Sequence, residues 1–484
     1  MGLKPTANTR IAYPPKIELE LYIKIYFLEN SVKELLQTLP KVDEILKDPL
    51  FSHTQSKILK PLIQKSLQNL REQILSKTLT SFSLDEFKQK LLSIYEKNTQ
   101  STIKPLVNAT GVVLQTNLGR SLFSKEILDE VFPLLLRYNN LEYDIKEGKR
   151  GERYTHIKHL LCTLLGCEDA IVVNNNASAV LLVLSTFGRD KEVIISRGEL
   201  VEIGGAFRIP EVMKLSGSKL VEVGTTNKTH LSDYEEAISE ETSMIMKAHQ
   251  SNFKQIGFTS SVEFSALTAL AKKRGVIDYY DLGSGYMQGL QTSEEPSILE
   301  LCKANPSLLS FSGDKLFGGP QAGVIVGRAD LIAKLKKNHL LRALRVDKFT
   351  TLALEATLRA YLNNELEKIP TLRMLNLSAE TILQKAQSLL SLLSPIPTLE
   401  AQIIALDSLA GGGSLPQTPF KSYGISLNFP SLKASSLEKA LRERGIITRI
   451  IQERVCLDLR CIEEYEYAQI SKALKQISEV NNAK

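Results

Sequence analysis

The chain has little cysteine and little histidine, five and six residues in 484. Cys162, Cys167, Cys302, Cys456 and Cys461 form no Cys-x-x-Cys pair, and no histidine-rich cluster accompanies them. That excludes a zinc site of ordinary spacing and a disulfide framework, so no metal is expected and a reducing compartment is. Long apolar runs are absent as well. No stretch reaches the length of a membrane span, and the N-terminus lacks the apolar core of a secretory signal. There is no long internal repeat and no low-complexity tract. Neither charge sign dominates: the formal balance is +6, mild for this length, compatible with a phosphate-rich partner without requiring one. These absences leave a cytoplasmic protein without a membrane or DNA partner as the expectation.

What is present is enough for several packed cores. The length exceeds one ordinary domain, and 43% of residues are hydrophobic. Residues 1–100 read as a helical domain. Ile58-Leu59, Leu62-Ile63, Leu67, Leu70 and Ile74 recur at helical spacing, and Ser83-Leu-Asp-Glu86 is a capping box for a further helix over Phe87–Tyr95. This segment holds 15 Lys/Arg against 11 Asp/Glu, so much of the net positive charge sits here. A solvated helical face explains that as simply as a surface for nucleic-acid phosphates, and charge alone favours the solvated face.

Over residues 101–345, short β-branched runs alternate with amphipathic helices. The runs are Ala170–Val173, Glu192–Ile195, Leu220–Val223, Met244–Met246, Val276-Ile277 and Leu308–Phe311, and one helix opens on a capping box at Ser232-Asp-Tyr-Glu235. Such alternation implies a mostly parallel α/β sheet covered on both faces, with ligands beyond the carboxyl ends of its strands. Residues 346–484 read as a small α+β domain. It has long helices, a strand at Tyr423–Phe429, a hairpin within Ile446–Leu459, and a mobile loop at Gly411-Gly-Gly-Ser414.

Three features on successive strand ends carry chemistry. Lys315 follows the apolar run Leu308–Phe311 and precedes Gly318-Gly319-Pro320, which suits an amine that is desolvated for Schiff-base chemistry. Asp281 ends a strand before Gly283-Ser-Gly285, where a carboxylate could pair with a protonated pyridine nitrogen. Between a strand and a helix, Asn174-Asn-Asn-Ala-Ser178 offers N–H groups and the Asn176 and Ser178 side chains to a phosphate, although plain helix capping explains the same residues. Together the three point to pyridoxal phosphate. Arg120, Arg342 and Arg345 are candidate forks for a second anion; Arg342 and Arg345, three apart, would share one face of a helix.

Longer motifs carry a family resemblance. Thr110–Arg120, Val173–Ala177, Ser196–Pro210, Glu222–Asn227, Asp281–Gly285, Phe311–Gly323 and Arg342–Arg345 closely resemble bacterial selenocysteine synthases, the L-seryl-tRNA(Sec) selenium transferases. The resemblance implies a pyridoxal-phosphate-dependent transferase of fold type I, the aspartate-aminotransferase-like α/β fold. It would have a helical N-terminal domain that grips tRNA and a small α+β C-terminal domain. It implies a ring of dimers, a decamer. It also implies conversion of seryl-tRNA(Sec) to selenocysteinyl-tRNA(Sec), by loss of water to an aminoacrylyl intermediate and selenium transfer from selenophosphate. Lys315 would carry the cofactor, with Asp281, Asn176, Ala177, Ser178 and Ser312 around it. Asp314 would be its catalytic neighbour, and Arg120, Arg342 and Arg345 would hold the donor's phosphate. Gln115 departs from the histidine associated with the family at that position. A lyase acting on a small free amino acid would not need residues 1–100, and a tRNA-binding protein with a vestigial site would not need Asp281, Asn176 and Lys315.

Overall fold

The computed structural model describes residues 32–203, 207–290, 295–416 and 418–482. Residues 1–31, read above for a targeting signal, lie outside them, as do Gly204–Ala206 of the Ser196–Pro210 motif. The chain divides into two compact units, Met1–Pro105 and Leu106–Lys484. Among the described residues no helix is long and apolar enough to cross a membrane.

The first unit is helical. α1 (Ser56–Leu75) buries Leu59, Ile63 and Leu67, and α2 (Leu84–Thr99) buries Phe87, Leu91 and Tyr95. Each set repeats every four residues, so each helix presents one apolar ridge. The ridges share a core with Ile45 and Phe51. The Ser83 hydroxyl caps α2 by accepting the Glu86 N–H, and the Tyr95 hydroxyl accepts the Gln55 N–H at 2.9 Å, tying the start of α1 to α2.

The second unit is built on a seven-stranded sheet. Its strands are β1 (Asp169–Val173), β2 (Glu192–Ser196), β3 (Lys219–Val223), β4 (Thr242–Ala248), β5 (Ile277–Gly283), β6 (Leu308–Ser312) and β7 (Gly323–Gly327). The spatial order is β1-β7-β6-β5-β4-β2-β3, parallel throughout except that β7 runs antiparallel to both neighbours. Side chains alternate between two cores. Ala170, Val172, Ile194, Leu309 and Val324 face one; Ile171, Val173, Ile195, Leu308 and Ile325 face the other. Burial on both faces is why these strands read as unbroken apolar runs.

A second, antiparallel sheet comprises β8 (Glu400–Ser408), β9 (Phe420–Asn428), β10 (Arg449–Ile451) and β11 (Arg454–Asp458) in the order β8-β9-β11-β10. The expected hairpin is there, turning at Gln452 and Glu453, both at positive φ. The cores do not divide at residue 345. Leu354, Leu358 and Tyr361 of the helix Lys348–Leu362 join the core of the large sheet, whereas Val107 and Ala109 join that of the small one. Val107 does so by pairing in parallel with Ile446.

Two local expectations are corrected. The helix Leu231–Ala237 starts two residues earlier than Ser232 would set it; the Asp233 carboxylate accepts the His230 N–H at 2.8 Å. The Gly411–Ser414 segment is packed rather than open. All three of its glycines have positive φ, and a Cβ on Gly411 would lie 2.3 Å from Val112 Cγ1. Glycine is needed there for fit and for backbone conformation.

Candidate active site

β6 delivers Ser312 to the sheet's carboxyl edge, and the chain turns through Gly313-Asp314-Lys315. The turn is held by Gly313 N–H on the Ala322 carbonyl (2.8 Å), Leu316 N–H on that of Ser284 (3.0 Å) and Gly319 N–H on that of Gly313 (2.8 Å). Lys315 is 5% exposed. Burial, above all, pulls its pKa below the ordinary lysine value, and Arg120 adds to the pull; Asp281, Asp314 and Glu295 oppose it. A lysine in this setting is closer to the neutral amine that nucleophilic and proton-transfer chemistry require.

Asp281 lies on β5, paired in register with Ser310 of β6, so the carboxylate and the lysine turn leave neighbouring strands as expected. Burial is the largest influence on Asp281 and raises its pKa; the Asn176 hydrogen bond and the charges of Lys315 and His249 hold it down. Without a further cation, both shifts favour the uncharged forms of Asp281 and Lys315. A protonated ring nitrogen would return Asp281 to its charged form.

Asn176 has a different partner from the one expected. Its Nδ2 donates to Asp281 Oδ1 at 2.6 Å, 105 positions away in sequence. Its Oδ1 is buried without a partner, and as an acceptor it cannot serve a phosphate. The helix α3 (Asn176–Phe187) is capped by Asn175, whose Oδ1 accepts the Ser178 N–H at 2.8 Å. That leaves the N–H groups of Asn176 and Ala177, which have no acceptor within the helix, and the half-buried Ser178 hydroxyl for an anion. Ser284 Oγ and Asn174 Oδ1 are also buried without partners at the ends of β5 and β1. Ser312 is buried, and its carbonyl would lie 2.4 Å from a Cβ on Gly285. A buried carboxylate, an amine of lowered pKa, free helix N–H groups and orphaned polar atoms fit pyridoxal phosphate. Among the described residues no group of His, Cys, Asp and Glu could hold a metal ion.

Close packing shapes this edge. A Cβ on Gly323 of β7 would meet the Asn175 carbonyl oxygen at 2.1 Å. Gly323→Ala is therefore expected to push the start of α3 outward and cost about 1–3 kcal/mol. Thermal unfolding and cofactor titration of the variant measure both effects; an unchanged unfolding temperature would rule out the contact.

The arginines fall into separate groups. Arg120 Nη1 donates to Asp314 Oδ2 at 2.9 Å, with Arg120 at φ +64°, an uncommon backbone conformation for a residue other than glycine. Arg345 Nη1 lies 3.2 Å from Glu142 Oε1, and Arg342 is exposed. The two do not share a helical face, because the helix Leu340–Ala343 ends first and Arg345 bridges to Val173 of β1 instead.

Sequence reasoning missed His249, Glu295, Glu142 and the pair Glu199–Lys247. The His249 N–H donates to the Asp281 carbonyl at 2.9 Å, and its Nε2 lies 3.2 Å from Glu295 Oε1. Its place just past β4 was the available signal. Lys247 Nζ lies 2.7 Å from buried Glu199, and a cavity of about 570 Å³ opens beside these groups.

A solved D-glucosaminate-6-phosphate ammonia-lyase shares the fold, with a TM-score of 0.57 and 20% identity over 80% of this chain and 99% of that one. The sheet and the buried Asn176–Asp281 and Lys315 groups define a pyridoxal-phosphate-dependent transferase of fold type I. The family model described as L-seryl-tRNA selenium transferase matches residues 106–463. Relatives named L-seryl-tRNA(Sec) selenium transferase from Helicobacter hepaticus and Wolinella succinogenes are 53% and 48% identical, covering 92% and 91% of this chain and 99% of each relative. The chain belongs to the L-seryl-tRNA(Sec) selenium transferase family.

Proposed function

We propose that this chain converts L-seryl-tRNA(Sec) to L-selenocysteinyl-tRNA(Sec), with pyridoxal phosphate carried on Lys315 and selenium supplied as selenophosphate. The reading rests on the juxtaposition of buried Lys315 with Asp281, which Asn176 holds at 2.6 Å, in a chain of this family. In the overall exchange the serine Cβ–O bond and the donor's Se–P bond break and Cβ–Se and P–O bonds form; the serine oxygen leaves as water, and a water consumed in the Se–P cleavage supplies the new phosphate oxygen.

When bound, the cofactor supplies an electron sink for negative charge at the serine Cα. Asp281 partners the ring nitrogen, and Asn176 fixes the direction of that carboxylate. Ala177, Ser178 and Ser312 line the remaining cofactor contacts. Lys315, desolvated and turned toward the neutral amine, takes the Cα proton and later returns it. Hydroxide is a poor leaving group, so a proton must reach the serine oxygen. The Asp314 carboxylate, already accepting from Arg120, suits the orienting of a water that carries it. Arg120, Arg342 and Arg345 bind the donor's phosphate through their planar forks.

The helical unit within residues 1–100 is assigned to tRNA. Its core is its own, and it carries the surplus of basic residues. Residues 101–345 are assigned to the cofactor domain and 346–484 to the smaller one. A ring of dimers, a decamer, in the cytoplasm completes the reading.

Incubation with seryl-tRNA(Sec) and selenophosphate tests it: selenocysteinyl-tRNA(Sec) is the expected product. Turnover of free serine alone, or tRNA binding without turnover, would refute it.

A further inference from the structure

One carboxylate gathers three guanidinium groups. Glu142 Oε2 lies 3.1 Å from Arg150 Nη2, and Oε1 lies 2.9 Å from Arg153 Nη2 and 3.2 Å from Arg345 Nη1. Glu142 is set by a short hairpin, Tyr143–Asp144 against Lys149–Arg150, closed by the Gly151 N–H on the Glu142 carbonyl at 3.0 Å. Arg153, 13% exposed in its side chain, also donates to the carbonyl of Val346. Arg345 is thus held twice, by its own contact to Glu142 and through its neighbour Val346. Its backbone bridges Val173, and the preceding Leu344 carbonyl accepts the Asn174 N–H at 2.9 Å, where the Asn174–Ser178 turn begins.

Only one of the five N–H donors of Arg345 is spent on Glu142. One negative charge stands against three positive ones, so the cluster keeps a positive surplus for an anion. Arg345, 35% exposed in its side chain, would otherwise wander among rotamers, and ordering it on binding weakens affinity.

We infer that Glu142 is a positioning residue that pre-orders the Arg345 fork for the tetrahedral oxyanion of the selenium donor. The inference rests on the assignment of Arg345 to the donor's phosphate. Arg150, 74% exposed in its side chain, is an outer support rather than part of the fork.

Steady-state kinetics of the full chain with seryl-tRNA(Sec) and varied selenophosphate test this. Glu142→Ala is expected to raise the KM for the donor roughly three- to tenfold. Glu142→Gln, which keeps an acceptor but not the charge, should fall between it and the unaltered chain. kcat at saturating donor should hold within about twofold in both, since the group acts on binding. The inhibition constant of inorganic phosphate should move in step with KM. A purely structural role would instead lower kcat and the unfolding temperature while leaving the phosphate constant in place, and would overturn the inference. So would a KM that falls, which would mark Glu142 as a competitor for the arginine. If Glu142→Ala does not fold, Glu142→Gln decides alone. Arg345→Ala separates the two levels: a raised KM there with none in the Glu142 variants overturns the inference only, whereas no change in Arg345→Ala overturns the donor assignment beneath it.

Discussion

Lys315→Ala is expected to lose the visible absorbance of the bound cofactor and to fall in activity by at least about 10³-fold, while still binding seryl-tRNA(Sec). The size follows from two jobs lost at once, the covalent hold on the cofactor and the proton transfer at Cα. Lys247, the other buried-edge lysine near the site, is committed to Glu199 at 2.7 Å and cannot take over. Borohydride reduction of the loaded protein, followed by peptide mass mapping, should place the pyridoxyl group on Lys315. A variant that keeps both absorbance and turnover, or a label on a different lysine, refutes the assignment.

Asp281→Asn should retain the cofactor on Lys315 yet slow turnover by roughly 10²–10³-fold. Losing one partner of a buried charge pair costs about 3–5 kcal/mol, and each 1.4 kcal/mol in the barrier is about a factor of ten. Part of that is recovered because asparagine still accepts from Asn176. Stability should respond in the opposite sense. Burial raises the Asp281 pKa above its unfolded value of 3.8. The folded chain then binds more protons than the unfolded one between 3.8 and the raised value, so this group's contribution falls as pH rises through that window. Freed of cofactor, Asp281→Asn should therefore gain unfolding temperature relative to the unaltered chain at pH 7, with the gain shrinking as the pH is lowered through that window and levelling off below 3.8. A gain that grows on acidification would contradict the cause assigned to the shift.

Much of the fold is written locally. The runs at 170–173, 192–195 and 308–311 are strands because β-branched and aliphatic side chains fill a sheet buried on both faces, while the edge run 220–223 buries only Val223. The lysine turn and the aspartate strand end were legible for the same reason, since each follows such a run directly. Arg342 and Arg345 illustrate the limit. Three-residue spacing puts side chains on one face only while the helix lasts, and here a bridge to Val173 ends it at Ala343. Ser232 likewise looked like a cap, but Asp233 reached the His230 N–H first.

Partners far apart in sequence left no local signal. Asn176 reads as part of a phosphate loop until β1 and β5 are placed in one sheet, which turns its amide to Asp281. Glu142 reads as one acidic residue among many until its hairpin folds Arg150 and Arg153 back onto it and Arg345 arrives from 203 positions away.

The sequence by itself determined the strand and helix types, the placing of Lys315 and Asp281 directly after apolar strand runs, and the family, because these depend on side-chain pattern and on motifs contiguous in the chain. Only the tertiary structure decided the strand order, the reversed direction of β7, the sharing of Val107 and of helix Lys348–Leu362 between cores, and which polar group faces which. Those depend on how buried surfaces and hydrogen-bonding groups are satisfied across long sequence separations, and periodicity along the chain does not encode that.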